Sequence, residues 1–353
     1  MLFFVLFIIA IFVLQEWSQK NALKGIDYKY ECNKKLVEAD EEFLFVSTIS
    51  NFSRRFVPFL RIEETLPGVT EINQGQAKLR TALTGQQKHL YTTYLTPKSR
   101  LKRCLAISIP KRGTYIFSGA TVTGGDFLGL NEDTKNFPGQ ALLVVYPKPA
   151  NYPGLENMLG GFMGDISVRR FIMEDPILTM GARDYTGREP MSQISWKQTA
   201  RMGHSMVKVF DYTMEAKVSV MLDLSAHPDS DPSEATLENC YRLARSVCEE
   251  LEAKKISYDF ITNASGIGKT YIPEGQGPSH FSAIMEKLGR GTLLAVEPFE
   301  ETALRLSLKQ SGDRSTIIIV PEVDATKEQA ATRLQARGGT TIFIKGDDCH
   351  DTQ

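Results

Sequence analysis

A glycine-rich turn that ends in Gly-Lys-Thr is the first candidate for chemistry. The stretch "FITNASGIGKT" spans residues 260–270 and opens with an apolar, strand-like run. A phosphate-binding loop follows the pattern GxxxxGK[ST], because its first glycine lets backbone amides turn toward the phosphates. Asn263 stands where that glycine is required, and "YIPEGQGP" follows Thr270 where a helix should begin. The pattern favours a solvated surface loop. A nucleotide hydrolase that uses Lys269 and Thr270, in the loop 268–270, remains as an alternative.

A second candidate is a pair of oxygen ligands after a continuous apolar run. In "VSVMLDLSAHPDS", Asp223 and Ser225 match the first two positions of the DxSxS pattern of a metal-ion-dependent adhesion site. A carboxylate and a hydroxyl suit Mg²⁺, in the crevice above the ends of parallel strands. His227 replaces the second serine, and a neutral imidazole is a poor Mg²⁺ ligand. Asp324 is a loose match for the third element. The sequence predicts a degenerate site with Mg²⁺ as its candidate cofactor. A vestigial site, in which Asp223 only caps its loop, is the alternative.

The other polar residues match no common catalytic or nucleic-acid-binding motif. The five cysteines include no CxxC pair, and neither GxSxG nor HExxH occurs. A formal net charge of −1 over 353 residues gives no basic footprint for nucleic acid. We therefore expect a protein that is not an enzyme and has no nucleic-acid partner.

The N-terminus predicts a membrane anchor. Residues 1–14 are all apolar. A helix of that length is about 21 Å long, short of the roughly 30 Å hydrocarbon core, so Trp17 would extend it to the interface. Lysines follow the apolar run and favour a cytoplasmic position for the rest of the chain. We expect residues 1–18 to form a single-pass anchor in the cell membrane, with the soluble domains in the cytoplasm. Two alternatives stay open: the first helix of a hairpin, and a cleaved signal peptide on an exported adhesion protein.

Two different patterns divide the rest of the chain. Residues 19–150 hold short extended runs separated by turn residues, which is typical of an antiparallel β-sandwich. Over residues 211–353, apolar runs alternate with amphipathic helices, which predicts an α/β domain with a largely parallel sheet. Residues 151–210 between them are irregular and predict a linker. The expected fold class is therefore α/β plus all-β.

The end of this linker, residues 184–210, holds several aromatic and basic residues in an otherwise irregular stretch. These side chains could dock the linker onto its neighbours or offer a surface to a partner. Its motifs resemble those of the bacterial family called domain of unknown function 58. The residues that match the family motifs, or line the same surface, are Tyr185, Gly187, Trp196, Arg201 and Lys208. The departures from the motifs are Arg188, Glu189, Ser195, Asp211 and His227. Upstream, "KRGTY" and "DFLGL" also match family signatures.

The resemblance implies a function as well as a fold. Members of the family that this chain resembles look like membrane-anchored proteins. In them a β-sandwich precedes a von Willebrand factor A-like, Rossmann-like domain. They tend to be encoded beside MoxR-type ATPases, and no catalytic activity is established for the family. We therefore expect a membrane-tethered, non-enzymatic adaptor that binds a MoxR-type ATPase through the degenerate site at Asp223 and Ser225.

Overall fold

The computed structural model describes most of the chain after the predicted anchor. The described residues are 23–72, 78–81, 86–125, 132–152, 154–155, 157–162, 164, 179–210, 217–226, 230–266, 268–309, 314–335 and 340–348. They divide into two compact units, one reaching to Lys148 and including Leu288–Arg290, the other starting at Pro149 and holding the remainder. The anchor predicted at residues 1–18 lies outside the described part. Within that part, no helix is both long enough and apolar enough to cross a membrane.

Ten described strands in two sheets build the first unit. The strands of the smaller sheet are β1 (Ile26–Cys32), β3 (Phe43–Asn51), β5 (Glu71–Ile72) and β8 (Arg100–Ser108). Those of the larger sheet are β2 (Leu36–Glu38), β4 (Val57–Leu66), β6 (Lys78–Thr81), β7 (Gln87–Leu95), β9 (Gly113–Gly125) and β10 (Glu132–Tyr146). The spatial orders are β1-β3-β8-β5 and β2-β10-β9-β4-β7-β6. Neighbours are antiparallel except β2 and β10, which are parallel.

The two sheets share an aromatic core. Phe45 of β3 stacks on Phe117 of β9 with ring centroids 5.5 Å apart, and Phe43 meets Phe117 edge-on at 6.5 Å. All three rings are buried. Because alternate residues of a strand face the same side, these rings come from the inward positions of both sheets. This is the all-β unit that the short, turn-separated runs predict.

The second unit is built around a five-stranded sheet. Its strands are β13 (Lys217–Leu222), β14 (Ser257–Thr262), β16 (Tyr271–Gly275), β18 (Ser315–Val320) and β19 (Thr341–Lys345). Their order is β16-β14-β13-β18-β19, and only the edge strand β16 is antiparallel to its neighbour. Two short ladders accompany it, formed by β11 (Thr179–Asp184) with β12 (Met206–Phe210) and β15 (Ala264–Gly266) with β17 (Gly291–Ala295). The largely parallel sheet of the prediction is confirmed.

The α-helices of this part of the chain include α1 (Trp196–Met202), α2 (Glu234–Ala253), α3 (Pro278–Arg290), α4 (Phe299–Lys309) and α5 (Ala325–Gln335). The long α2 buries one face, including Leu243, Val247 and Leu251. The central strand β13 is buried along almost its whole length, as expected when both faces of a parallel sheet are covered. The carboxyl ends of β13, β14 and β18 therefore meet at one edge of the sheet.

Candidate functional site

Polar residues follow two neighbouring parallel strands and meet at that edge. Asp223 comes directly after β13 and is completely buried. Its backbone N–H donates to the carbonyl of Ile319 in β18 at 2.9 Å, which continues the sheet by one residue. Asn263 follows β14 in the equivalent position and is also buried. Its Nδ2 donates to Asp223 Oδ1 at 2.6 Å. Ligand sites of parallel α/β sheets lie at this position above the strands.

One oxygen of Asp223 is saturated by the protein's own donors. Besides Asn263, Oδ1 accepts from the Ser225 hydroxyl at 2.6 Å and from the Ser225 backbone N–H at 3.2 Å. Asn263 in turn accepts from the Leu224 N–H at 2.9 Å and donates to the Glu297 carbonyl at 3.0 Å. The structure thus brings Asp223 and Ser225 together as predicted. It also shows that the serine proton is directed at the carboxylate, where it organises the loop.

The other oxygen of Asp223 faces a buried ammonium group. Lys327 Nζ lies 3.1 Å from Oδ2 in an ion pair, and the lysine side chain is only 4% exposed. The same nitrogen donates to the backbone carbonyls of Ser225 at 2.8 Å and Glu322 at 3.2 Å. The contact with Oδ2 is close enough for an ion pair but does not have the geometry of a hydrogen bond. Lys327 is therefore the charge partner of Asp223.

The electrostatics of this pair are set by burial. Burial raises the pKa of Asp223, and the charge of Lys327 with the hydrogen bonds from Ser225 opposes that rise. Two unit charges at the observed 3.1 Å attract by about 5 kcal/mol at an effective dielectric constant of about 20. That attraction offsets the desolvation of two ions only while both partners are present.

Asp324, the third predicted element, performs a different task. Its Oδ1 accepts from the Lys327 backbone N–H at 2.7 Å and from the Thr326 hydroxyl at 2.5 Å, so it caps the first turn of α5. His227 lies outside the described residues. Across the part of the chain that the structure covers, no three His, Cys, Asp or Glu side chains are grouped so as to hold a metal ion. The donor set around Asp223 does not fit Mg²⁺, because an ammonium group already faces the carboxylate.

The Gly-Lys-Thr turn connects two strands. Lys269 is exposed, and the Thr270 carbonyl accepts from the N–H of Thr262 at 3.0 Å. Strand β16 begins at the next residue, Tyr271. A phosphate-binding loop leads into a helix whose N-terminal amides face the phosphates. That arrangement is not formed at residues 268–270.

The family-motif residues lie on and around the β11–β12 hairpin. Tyr185 prolongs the ladder through a backbone hydrogen bond to the Ser205 carbonyl at 2.9 Å. Gly187 has a φ of +90°, which favours glycine. Trp196 begins α1 and is 63% exposed. The remaining two motif residues are Arg201, exposed in the last turn of α1, and Lys208, half-buried in β12. Asp223 follows β13, which belongs to a different sheet from this hairpin, so the predicted residues fall into two separate groups.

One departure from the family motif has a clear structural role. The carboxylate of Glu189 accepts from the Thr186 hydroxyl at 2.8 Å and backbone N–H at 3.1 Å, and pairs with Arg183 at 2.6 Å. These contacts, those of Thr186 first, lower the pKa of Glu189 to about 2. Glu189 therefore stabilises the turn that contains Arg188 through these hydrogen bonds and the ion pair with Arg183.

Sequence reasoning did not identify Asn263 and Lys327 as site residues. Asn263 carried a usable signal, because a polar residue directly after a buried parallel strand lies at the same edge as Asp223. Lys327 carried almost none. A lysine in the first turn of a helix resembles a surface residue, and only the tertiary structure reveals its burial.

Two large apolar side chains stand exposed beside this crevice. Val296 is 64% exposed, and its N–H donates to the Asn263 carbonyl at 2.8 Å. Leu294 is 71% exposed and lies one residue before Ala295, which pairs with Ala264 of β15. Exposed apolar residues grouped beside a polar crevice are a common feature of protein-binding surfaces.

A cleft of about 580 Å³ lies elsewhere, in the first unit. Its lining includes Tyr28, Tyr30, Thr48, Arg100 and Phe137. None of the predicted site residues contributes to it. The Asp223 site differs from this cleft because its charged and amide groups are buried, and burying such groups is costly unless they are paired and hydrogen-bonded.

The fold and site describe a two-unit protein with an all-β part and an α/β part whose parallel sheet carries a polar crevice. Residues 181–331, which include most of the β11–β12 hairpin as well as Lys327, match the family described as "Protein of unknown function DUF58". The chain is 23% identical over 319 residues to the uncharacterized protein YeaD of Bacillus subtilis (strain 168), covering 78% of this chain and 72% of that protein. The match over residues 181–331 confirms the resemblance to the DUF58 family that the motifs carry.

Similarity to solved structures is much weaker. A cohesin module from a Clostridium perfringens family 33 glycoside hydrolase matches 35% of this chain and 98% of its own length, with a TM-score of 0.27 and 11% identity. The CARDB domain of the Pyrococcus furiosus PF1109 protein matches 35% of this chain and 94% of its own length, with a TM-score of 0.22 and 17% identity. Scores this low assign neither fold nor function.

Proposed function

We propose that the protein is a membrane-tethered, non-enzymatic adaptor. In this proposal residues 1–18 anchor the chain, and the second unit is a von Willebrand factor A-like domain in the cytoplasm. Its crevice around Asp223 and Ser225 binds a protein partner. The sheet order and the position of Asp223 after the central strand support the domain assignment, since ligand sites of this architecture lie above the carboxyl ends of the strands.

The observation that carries the proposal is the pairing of a buried, hydrogen-bonded polar network with exposed apolar neighbours. Asp223, Ser225 and Asn263 bond mainly to one another and to backbone, so they shape the loops. Leu294 and Val296 stand beside them, exposed to solvent. A partner that covers these two side chains would remove apolar surface from water, which is the main favourable term in protein association. We therefore place the interface at the mouth of the crevice.

The proposed partner is a MoxR-type ATPase. This identification rests on the family resemblance, since proteins similar to this chain tend to be encoded beside such ATPases. The tether would hold the adaptor at the membrane, and the ATPase would be recruited to it there.

The test is cross-linked affinity purification of the tagged full-length protein from its native membranes, followed by mass spectrometry. Val296→Asp should abolish enrichment of the ATPase, because it places a charge in the apolar contact. Leu308→Asp is the matched control. Leu308 is 73% exposed and lies near the C-terminal end of α4, whereas Val296 precedes the N-terminal end of that helix. Loss of the ATPase with both variants, or with neither, would contradict an interface at Val296. Absence of the ATPase from the wild-type sample would contradict the choice of partner.

A further inference from the structure

We propose that Lys327 is the resident cation of the Asp223 crevice and replaces a bound metal ion. This inference deepens the proposed function, because it states that the crevice works without a divalent cation. Its tests need no partner, so its failure can be distinguished from failure of the adaptor proposal.

The surroundings of the lysine nitrogen form an oxygen cradle. Nζ lies 3.1 Å from Asp223 Oδ2, 2.8 Å from the Ser225 carbonyl and 3.2 Å from the Glu322 carbonyl. Carboxylate and carbonyl oxygens are the ligands that hard divalent cations choose. The distances nevertheless suit an ammonium group. Mg²⁺ holds its ligands at about 2.0–2.1 Å.

The position of Lys327 in its helix supports the same interpretation. It lies in the first turn of α5, two residues after Ala325, where the helix dipole disfavours a positive charge. Its side chain is buried as well, and a buried charge is costly unless it has a partner. The carboxylate of Asp223 compensates for both effects. Asp324 caps the same turn and fixes the backbone from which the lysine extends.

Both carboxylate oxygens of Asp223 have partners that the chain itself provides. Its Oδ1 has three donors from Ser225 and Asn263, and its Oδ2 has the ammonium charge. An added divalent cation would have to displace Lys327 from an ion pair that is buried on both sides. A metal-bridged contact, in which a partner's carboxylate completes the coordination of an ion, is therefore replaced by a contact that needs no metal.

The experiment uses the full-length protein in mild detergent and Mn²⁺ as a paramagnetic probe. Bound Mn²⁺ is measured by electron paramagnetic resonance for the wild type and Asp223→Asn, and the melting temperature is recorded in EDTA and in Mg²⁺. We expect the wild type and Asp223→Asn to bind the same amount of Mn²⁺. We also expect the wild type to have the same melting temperature in EDTA and in Mg²⁺. Saturable Mn²⁺ binding that disappears in Asp223→Asn would overturn the proposal.

A second variant tests the lysine directly. In EDTA, Lys327→Met should lower the melting temperature by roughly 10 °C, because it leaves a buried carboxylate without a counter-charge. Lys254→Met is the matched control, since Lys254 pairs with Glu250 at 2.7 Å on the surface of α2. It should shift the melting temperature by no more than about 2 °C. If Lys327→Met melts like the wild type, Lys327 is not the counter-ion and the proposal fails.

Discussion

The Asp223–Lys327 pair makes a quantitative prediction for a double-mutant cycle. Asp223→Asn and Lys327→Met each leave one buried ion without its partner, and each should lower the free energy of unfolding of the second unit by about 3–5 kcal/mol. The double variant buries no uncompensated charge. It should return to within about 2 kcal/mol of the wild type, which gives a coupling energy of at least about 4 kcal/mol.

The assay has to report on the second unit alone, because the chain has two units. Hydrogen exchange measured by mass spectrometry on peptides from β13, as a function of urea, provides this, since β13 is buried at the centre of the sheet. The surface pair Lys254–Glu250 gives the control cycle, with an expected coupling of only about 0.3–0.5 kcal/mol. If the losses of stability caused by the two substitutions at Asp223 and Lys327 are additive, the two charges are not coupled. The interpretation that Lys327 neutralises the buried charge of Asp223 would then be wrong.

Three further predictions follow from other parts of the molecule. Burial lowers the pKa of His280, so near neutral pH the unfolded chain binds a proton more readily than the folded chain does. The free energy of unfolding should therefore fall as the pH drops below about 6.5. His280→Gln should remove that dependence when urea unfolding is measured at a series of pH values. Glu189→Gln should speed hydrogen exchange at the Thr186 amide and leave the melting temperature unchanged, because Glu189 fastens only a surface turn; equal exchange rates would contradict that role. Phe117→Ala should destabilise the first unit by about 3–5 kcal/mol in urea unfolding, because Phe117 is fully buried and stacks on Phe45; a loss below about 1 kcal/mol would show that the core collapses into the space.

The architecture could be predicted from the sequence where the pattern is local. The continuous apolar run of β13 and the one-sided apolar face of α2 indicate a covered parallel sheet without any knowledge of their partners. The half of the site formed by Asp223 and Ser225 is local in the same sense. Two residues apart after a strand, they must lie close together.

The other half of the site could not be predicted, because it depends on contacts between distant parts of the chain. Lys327 reaches Asp223 only because β18 pairs with β13 and α5 starts just beyond β18. Nothing in "DATKEQ" distinguishes its lysine from a solvated one. Asp324 shows the same limit, since its carboxylate suggests a ligand in the sequence and caps a helix in the structure.

The dependence of Asp223 and Lys327 on each other has an evolutionary consequence. A protein that has lost only one of the two residues contains an unpaired buried charge and is destabilised. Selection should remove such a variant before the second substitution arises. Homologous chains should therefore carry both residues or neither. Those with neither are free to admit a metal ion or an apolar pair in the same place. An alignment of homologous chains should accordingly show these two positions changing in step.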